Sequence, residues 1–186
     1  MGSRMWTIAR RIAVELAGLN PTKRFGDLPH ERGKPDADRR SPAAPHHQGD
    51  SIGVYDLSSG LPEFSYEPQP DGDADPGEVV WTWVPYEEDP QQGKDRPVLV
   101  VARHKGMLVV AQLTSQDHDR DAEQEARWGR YWLDIGSGDW DRSRRPSEVR
   151  LDRLLWVKPH AIRREGGTLP RNVFATVVQA IKDLHQ

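Results

Sequence analysis

From residue 77 onward, short apolar runs alternate with polar turns. Glu78–Tyr86 reads EVVWTWVPY, with Val79, Trp81 and Trp83 on one side and Val80, Thr82 and Val84 on the other. Period-two alternation of β-branched and aromatic residues predicts a strand with two usable faces. Pro97–Arg103 and Met107–Thr114 predict two more strands, joined by the tight turn HKG. Arg130–Ile135 predicts a short strand, and Glu148–Val157 one long or bent strand. Between Ser115 and Gly129 lies a polar connection with a turn or two of helix near Ala122–Trp128. HAIRREG predicts a short helical turn. Pro170 then opens a helix running to about Leu184, with Val173, Val177, Val178, Ile181 and Leu184 along one stripe. Five or so antiparallel strands followed by one helix predict a mainly β, α+β fold: a small β-barrel closed by a C-terminal helix.

The first 76 residues read differently. Trp6, Ile8, Ile12, Ala13, Leu16 and Leu19 recur at spacings of three and four, which predicts an amphipathic N-terminal helix over 1–19. Residues 20–76 are polar and rich in proline, with no sustained period. They predict a long, mostly disordered linker that lays Val54, Tyr55, Phe64 and Tyr66 against another surface, covering the barrel in cis or mediating docking. His46 and His47 in this stretch read as solvated loop histidines. The barrel domain is then 77–186.

Composition adds limits. Of the 186 residues, 35% are hydrophobic and 30% charged, with 15 prolines and 16 glycines, too little apolar content for one core over the whole length. The chain has no cysteine, which excludes disulfides and thiolate metal sites and fits a cytoplasmic location. No apolar run approaches the roughly 20 residues of a membrane-spanning helix, so no membrane partner is expected. The net charge of −3 advertises no global basic field, so any anion site must be local.

The hairpin concentrates the candidate chemistry. Pro97 biases Arg96 toward an extended conformation at the mouth of a strand. Thr114 and Ser115 end the neighbouring antiparallel strand, so the guanidinium and the hydroxyls converge on one rim. A fixed guanidinium beside hydroxyl donors makes a small anion site suited to a phosphate. Arg142, Arg144, Arg145, Arg150 and Arg153 either track further phosphates or pair with Asp139, Asp141, Glu148 and Asp152. Trp128, Trp132 and Trp140 are candidates for base stacking, with burial expected for at least two of them.

GEVVWTWVPY, a polar loop, GKDRPVLVV, LTS, SEVRLDRLLWV and the closing helix, taken in that order, resemble the MazF/PemK-type toxins of type II toxin–antitoxin systems. The resemblance covers about residues 77–184. It implies an SH3-like barrel that forms a homodimer and cuts single-stranded RNA at preferred sequences, without metal or cofactor, arresting growth until a cognate antitoxin protein neutralises it. It assigns Arg96 and Thr114 as catalytic. It places Gln91, Gln92 and Lys94 in a loop over the RNA, with Ser115 beside Thr114 and Arg142, Arg144 and Arg145 as further RNA-binding candidates. The general base stays open among Glu87, Glu88, Asp95 and His118. Many members carry a glutamate where this chain has Gln91–Gln92. Two other readings compete: a non-catalytic SH3-like binding module, and a toxin acting on a protein target such as DNA gyrase.

Overall fold

The structure, a computed structural model, describes residues 51–116 and 127–186. The expected N-terminal helix, residues 20–50 of the expected linker, and His118 lie outside the described residues. The described residues form seven strands: β1 (Ile52–Val54), β2 (Glu78–Pro85), β3 (Gly93–His104), β4 (Met107–Thr114), β5 (Trp132–Gly136), β6 (Ser147–Val157) and β7 (Ile162–Thr168). Helix α1 (Arg171–His185) follows. All pairings are antiparallel, in the order β1-β6-β4-β3-β2-β7, with β5 added to the first half of β6. The two ends of this order do not pair, so the sheet is an open, curled half-barrel rather than a closed barrel. The mainly β reading with one C-terminal helix holds.

Both faces of the central strands are buried, which is why the runs VLVVA and MLVVA are apolar without interruption. One face, with Val79, Leu99, Val109, Ala111 and Leu154, packs on Phe174, Val177 and Ile181 of α1. The other, with Val80, Val84, Val98, Val100, Leu108, Val110 and Leu155, closes against itself as the sheet curls. Trp140 plugs one end: its Nε1 donates to Ser147 Oγ at 3.1 Å, and its carbonyl accepts from Trp81 Nε1 at 3.2 Å. Gly166 makes room for it, since a Cβ there would lie 2.9 Å from the Val79 carbonyl oxygen and 3.0 Å from Trp140 Cβ.

The expected hairpin forms with a two-residue loop. Lys105 (φ 50°) and Gly106 (φ 76°) both take positive φ, as the turn that matches strand twist requires. A bulge between Val100 and Ala102 then shifts the register by one residue. Val98 pairs with Gln112, the last pair of this ladder, and the same register carried two positions on would set Arg96 opposite Thr114. Without the bulge, the partner would be Ser115. The insertion that kinks β3 therefore also sets which hydroxyl the register brings toward the arginine.

Three elements depart from the sequence reading. IRREG is not a helical turn: only Pro159–Ala161 forms a 3-10 turn, and Ile162–Thr168 is edge strand β7 on β2. Strand β3 begins at Gly93, before Pro97, because Lys94–Arg96 pair with Thr82–Val84 of β2. Residues 51–76 are built onto the domain: β1 pairs with the end of β6, Tyr55 is buried in the main core, and Phe64 bridges to Ala102. Tyr66 donates to the Leu169 carbonyl at 2.8 Å and packs on Phe174. The docking expected of Val54–Tyr66 thus falls on the helix side of the sheet and its β6 edge.

This strap ends in a pair of buried acids, Asp75 and Glu78. Asp75 is ion-paired with Arg103, and Glu78 accepts from the backbone N–H groups of Asp75 and Gln69 at 3.1 and 3.2 Å. Burial, helped by the nearby charges of Asp75 and Glu165, pushes the Glu78 carboxyl above its ordinary 4.5 despite those donors. The folded state therefore holds this proton to higher pH than the unfolded chain. The Glu78 contribution to stability is largest at acid pH and declines as pH rises from about 4.5 through the raised folded value. Urea unfolding across pH 4–7 is expected to show this decline and to show a shallower one in Glu78→Gln.

Candidate functional site

Arg96 sits at the junction of two cavities on one rim of the half-barrel. The smaller, about 290 Å³, is lined by Tyr86, Glu87, Arg96, Thr114, Arg130, Trp132, Arg150 and Arg153, among others. The larger, about 980 Å³, extends from the same Arg96 and Thr114 past Trp81, Lys94, Ser115, Trp140, Arg142 and Arg145. Together they form a polar groove running across the ends of β3 and β4.

The arginine is held ready for an anion. It is half-buried, and no carboxylate among the described residues pairs with it. Burial lowers its pKa, opposed by the nearby Tyr86, but a guanidinium remains charged throughout the physiological range. The Thr114 hydroxyl oxygen accepts from the Gln116 backbone N–H at 3.1 Å. Its own proton is left to point elsewhere, and the cavity is where an acceptor would sit. A charged fork and a hydroxyl donor thus face the same space.

The remaining arginines of the small cavity are tied up. Glu87, just after β2, reaches across it. Its Oε1 lies 2.8 Å from an Arg150 guanidinium nitrogen and 3.6 Å from Arg153 Nε, and its Oε2 lies 3.3 Å from Arg130. Arg150 is buried and also forks onto Asp152, with contacts of 2.7 and 3.1 Å. Its guanidinium lies 5.8 Å from the Trp132 ring centre. Burial alone would push Glu87 up. The hydrogen bond and charge of Arg150, with the charges of Arg153 and Arg130, reverse this and hold the carboxyl below its ordinary value.

The structure separates the sequence candidates. Arg96, Thr114, Ser115, Lys94, Arg142 and Arg145 line the groove. Gln91 and Gln92 are exposed and line neither cavity; the Gln92 side chain donates to Asp89 at 2.8 Å. Arg144 pairs with Asp139 on the surface, and Arg145 pairs with Asp141 at 2.7 Å. Of the base candidates, Glu87 and Glu88 line the small cavity, while Asp95 lines the large one and pairs with Arg163 at 2.9 Å. Trp140 is buried, Trp132 half-buried and Trp128 70% exposed, so only one of the three tryptophans is a core residue. Sequence reasoning passed over Trp81, Tyr86, Gln112 and Arg130. Gln112 shares a face of β4 with Thr114, two residues on, and strand alternation signals it; the others come to the rim from elements far apart in the chain, and only the register of β2 and β5 signals them.

An open antiparallel half-barrel with a polar, arginine-lined groove across the ends of its central hairpin, backed by one helix, defines the class of domain. The chain belongs to the PemK-like, MazF-like toxins of type II toxin–antitoxin systems, whose family model matches residues 75–185. Nothing among curated proteins matches it significantly. Similar solved structures include MazF of Deinococcus radiodurans, at 19% identity over 61% of this chain and 97% of that one, TM-score 0.45. A MazE–MazF complex from the same organism matches at 18% identity over 61% of this chain and 96% of that one, TM-score 0.43. A MazF toxin of Mycobacterium tuberculosis matches at 18% identity over 57% and 94%, TM-score 0.38.

Proposed function

We propose that the protein is an endoribonuclease that cuts single-stranded RNA at selected sequences, using the ribose 2′-hydroxyl as nucleophile and no metal ion. The observation that carries this reading is Arg96: half-buried, without a carboxylate partner among the described residues, and set beside Thr114 where two cavities meet. A phosphodiester seated there would place its non-bridging oxygens against the guanidinium. The 2′-oxygen attacks the adjacent phosphorus, the bond to the 5′-oxygen breaks, and the products are a 2′,3′-cyclic phosphate and a 5′-hydroxyl. Negative charge grows on the phosphoryl oxygens in the transition state, and Arg96 and the Thr114 hydroxyl stabilise it there. The groove walls fix the strand so that attack and departure are in line.

Two protons must move. The 2′-hydroxyl loses one to a base, and the departing 5′-oxygen gains one. Glu87 is a poor base, because three arginines hold it ionised and away from its proton-accepting range. Glu88 lines the same cavity and carries this role in the present reading. Toxicity through RNA cleavage, a cytoplasmic site of action, a homodimer and an antitoxin that covers the groove complete the proposal. Membership of a toxin–antitoxin family supports the antitoxin. Replacing the ribose 5′ to a mapped cut by deoxyribose tests the nucleophile. Cleavage at that site is expected to vanish while binding persists; continued cleavage would contradict attack by the 2′-hydroxyl.

A further inference from the structure

Four arginines and two glutamates line the small cavity, yet only Arg96 is left without an acid. The other three converge on one carboxylate, and they come from two separate places: Arg130 from ahead of β5, Arg150 and Arg153 from β6. Glu87 itself belongs to the loop between β2 and β3 and remains about one-third exposed, so it can leave without opening the core. Arg150 keeps Asp152 when Glu87 goes, which leaves a formed cationic cup rather than a collapsed one. A carboxylate and a phosphodiester share the features this cup reads: one negative charge and two equivalent acceptor oxygens.

We infer that Glu87 fills, in cis, an anion subsite that takes a second phosphodiester of the bound RNA strand, the carboxylate giving way to the phosphate on Arg130, Arg150 and Arg153. This rests on the ribonuclease reading and deepens it. The occupant is a nucleic-acid phosphate rather than an acidic peptide because the subsite shares its cavity with Arg96 and Thr114. A strand whose scissile phosphate sits on Arg96 carries its neighbouring phosphate along that same cavity. Glu87 then acts as a built-in competitor: it neutralises the cup when the groove is empty and raises the threshold for casual anions.

The test measures binding of a mixed-sequence, uniformly 2′-O-methylated single-stranded RNA, which cannot be cleaved by its own 2′-oxygen, to the full chain in EDTA over a range of salt. Glu87→Gln is expected to bind about tenfold more tightly than the unaltered protein, one charge-assisted contact being worth roughly a decade. Arg153→Gln is expected to bind more weakly and to flatten the slope of log affinity against log salt by about 0.7, one phosphate contact on a single strand. Unchanged or weaker binding by a folded Glu87→Gln, with binding still dependent on Arg96, would overturn the subsite and leave the ribonuclease reading standing. Tighter capture of polyglutamate but not of RNA by Glu87→Gln would overturn the RNA assignment in favour of an acidic peptide. Binding that ignores Arg96→Ala as well, or no binding at all, would overturn both.

Discussion

Arg96→Ala is expected to lower the rate of RNA cleavage by about 100- to 1,000-fold while leaving the fold intact. That range is what removal of one preorganised donor from an oxyanion site costs elsewhere. The change should be clean. Arg96 is half-buried at a strand mouth and holds no carboxylate among the described residues, so its loss leaves no stranded acid behind. Neighbouring Pro97 and the pairing of Thr82 with the Arg96 backbone keep the strand in register. Single-turnover kinetics separate this loss from weakened binding: the chemical step itself should slow. Arg96→Lys keeps the charge but loses the fork, and should recover only part of the rate. A folded Arg96→Ala variant that cuts as fast as the unaltered protein would remove the guanidinium from the mechanism.

The second large effect concerns stability. Phe174→Ala is expected to cost about 3–5 kcal/mol, the range for deleting a buried aromatic side chain. Phe174 is 5% exposed and joins three parts of the molecule: helix α1, the sheet core and the strap, through Tyr66 with ring centres 5.1 Å apart. Tyr66 is in turn covered by the Arg171 guanidinium at 4.5 Å. Urea unfolding should show a lower midpoint with an unchanged slope. An effect under about 1 kcal/mol would mean that the helix–strap junction contributes little to the core.

The central hairpin is legible in the sequence because two apolar runs buried on both faces and a tight turn with Gly106 point one way; Pro97 does not mark the start of β3, which runs from Gly93. Convergence of Arg96 with Thr114–Ser115 follows from antiparallel pairing alone. The bulge at Val101 that selects Thr114 does not, since nothing in VLVVA marks one valine as the extra residue. Strand β7 was hidden because an edge strand of IRREGGT carries no hydrophobic alternation, and its two glycines fit a tight approach to Trp140 instead. Strand β1, at three residues, is too short for any period to appear. For the arginine-rich loop and β6, the sequence leaves both tracking phosphates and pairing with acids open. The structure divides them by place: Arg144 and Arg145 meet Asp139 and Asp141 of their own loop, whereas Arg150 and Arg153 meet Glu87 beside the catalytic candidates. The Glu87 contact spans two distant segments, and local sequence carries no trace of it.

The most direct test of the account is the chemistry of the cut ends. The full chain is incubated with a long unstructured RNA in excess EDTA, and the fragments are mapped and their termini identified. Discrete fragments bearing 5′-hydroxyl and 2′,3′-cyclic phosphate ends are predicted. A folded protein that leaves the RNA whole, or that yields 5′-phosphate ends from attack by water, would contradict it.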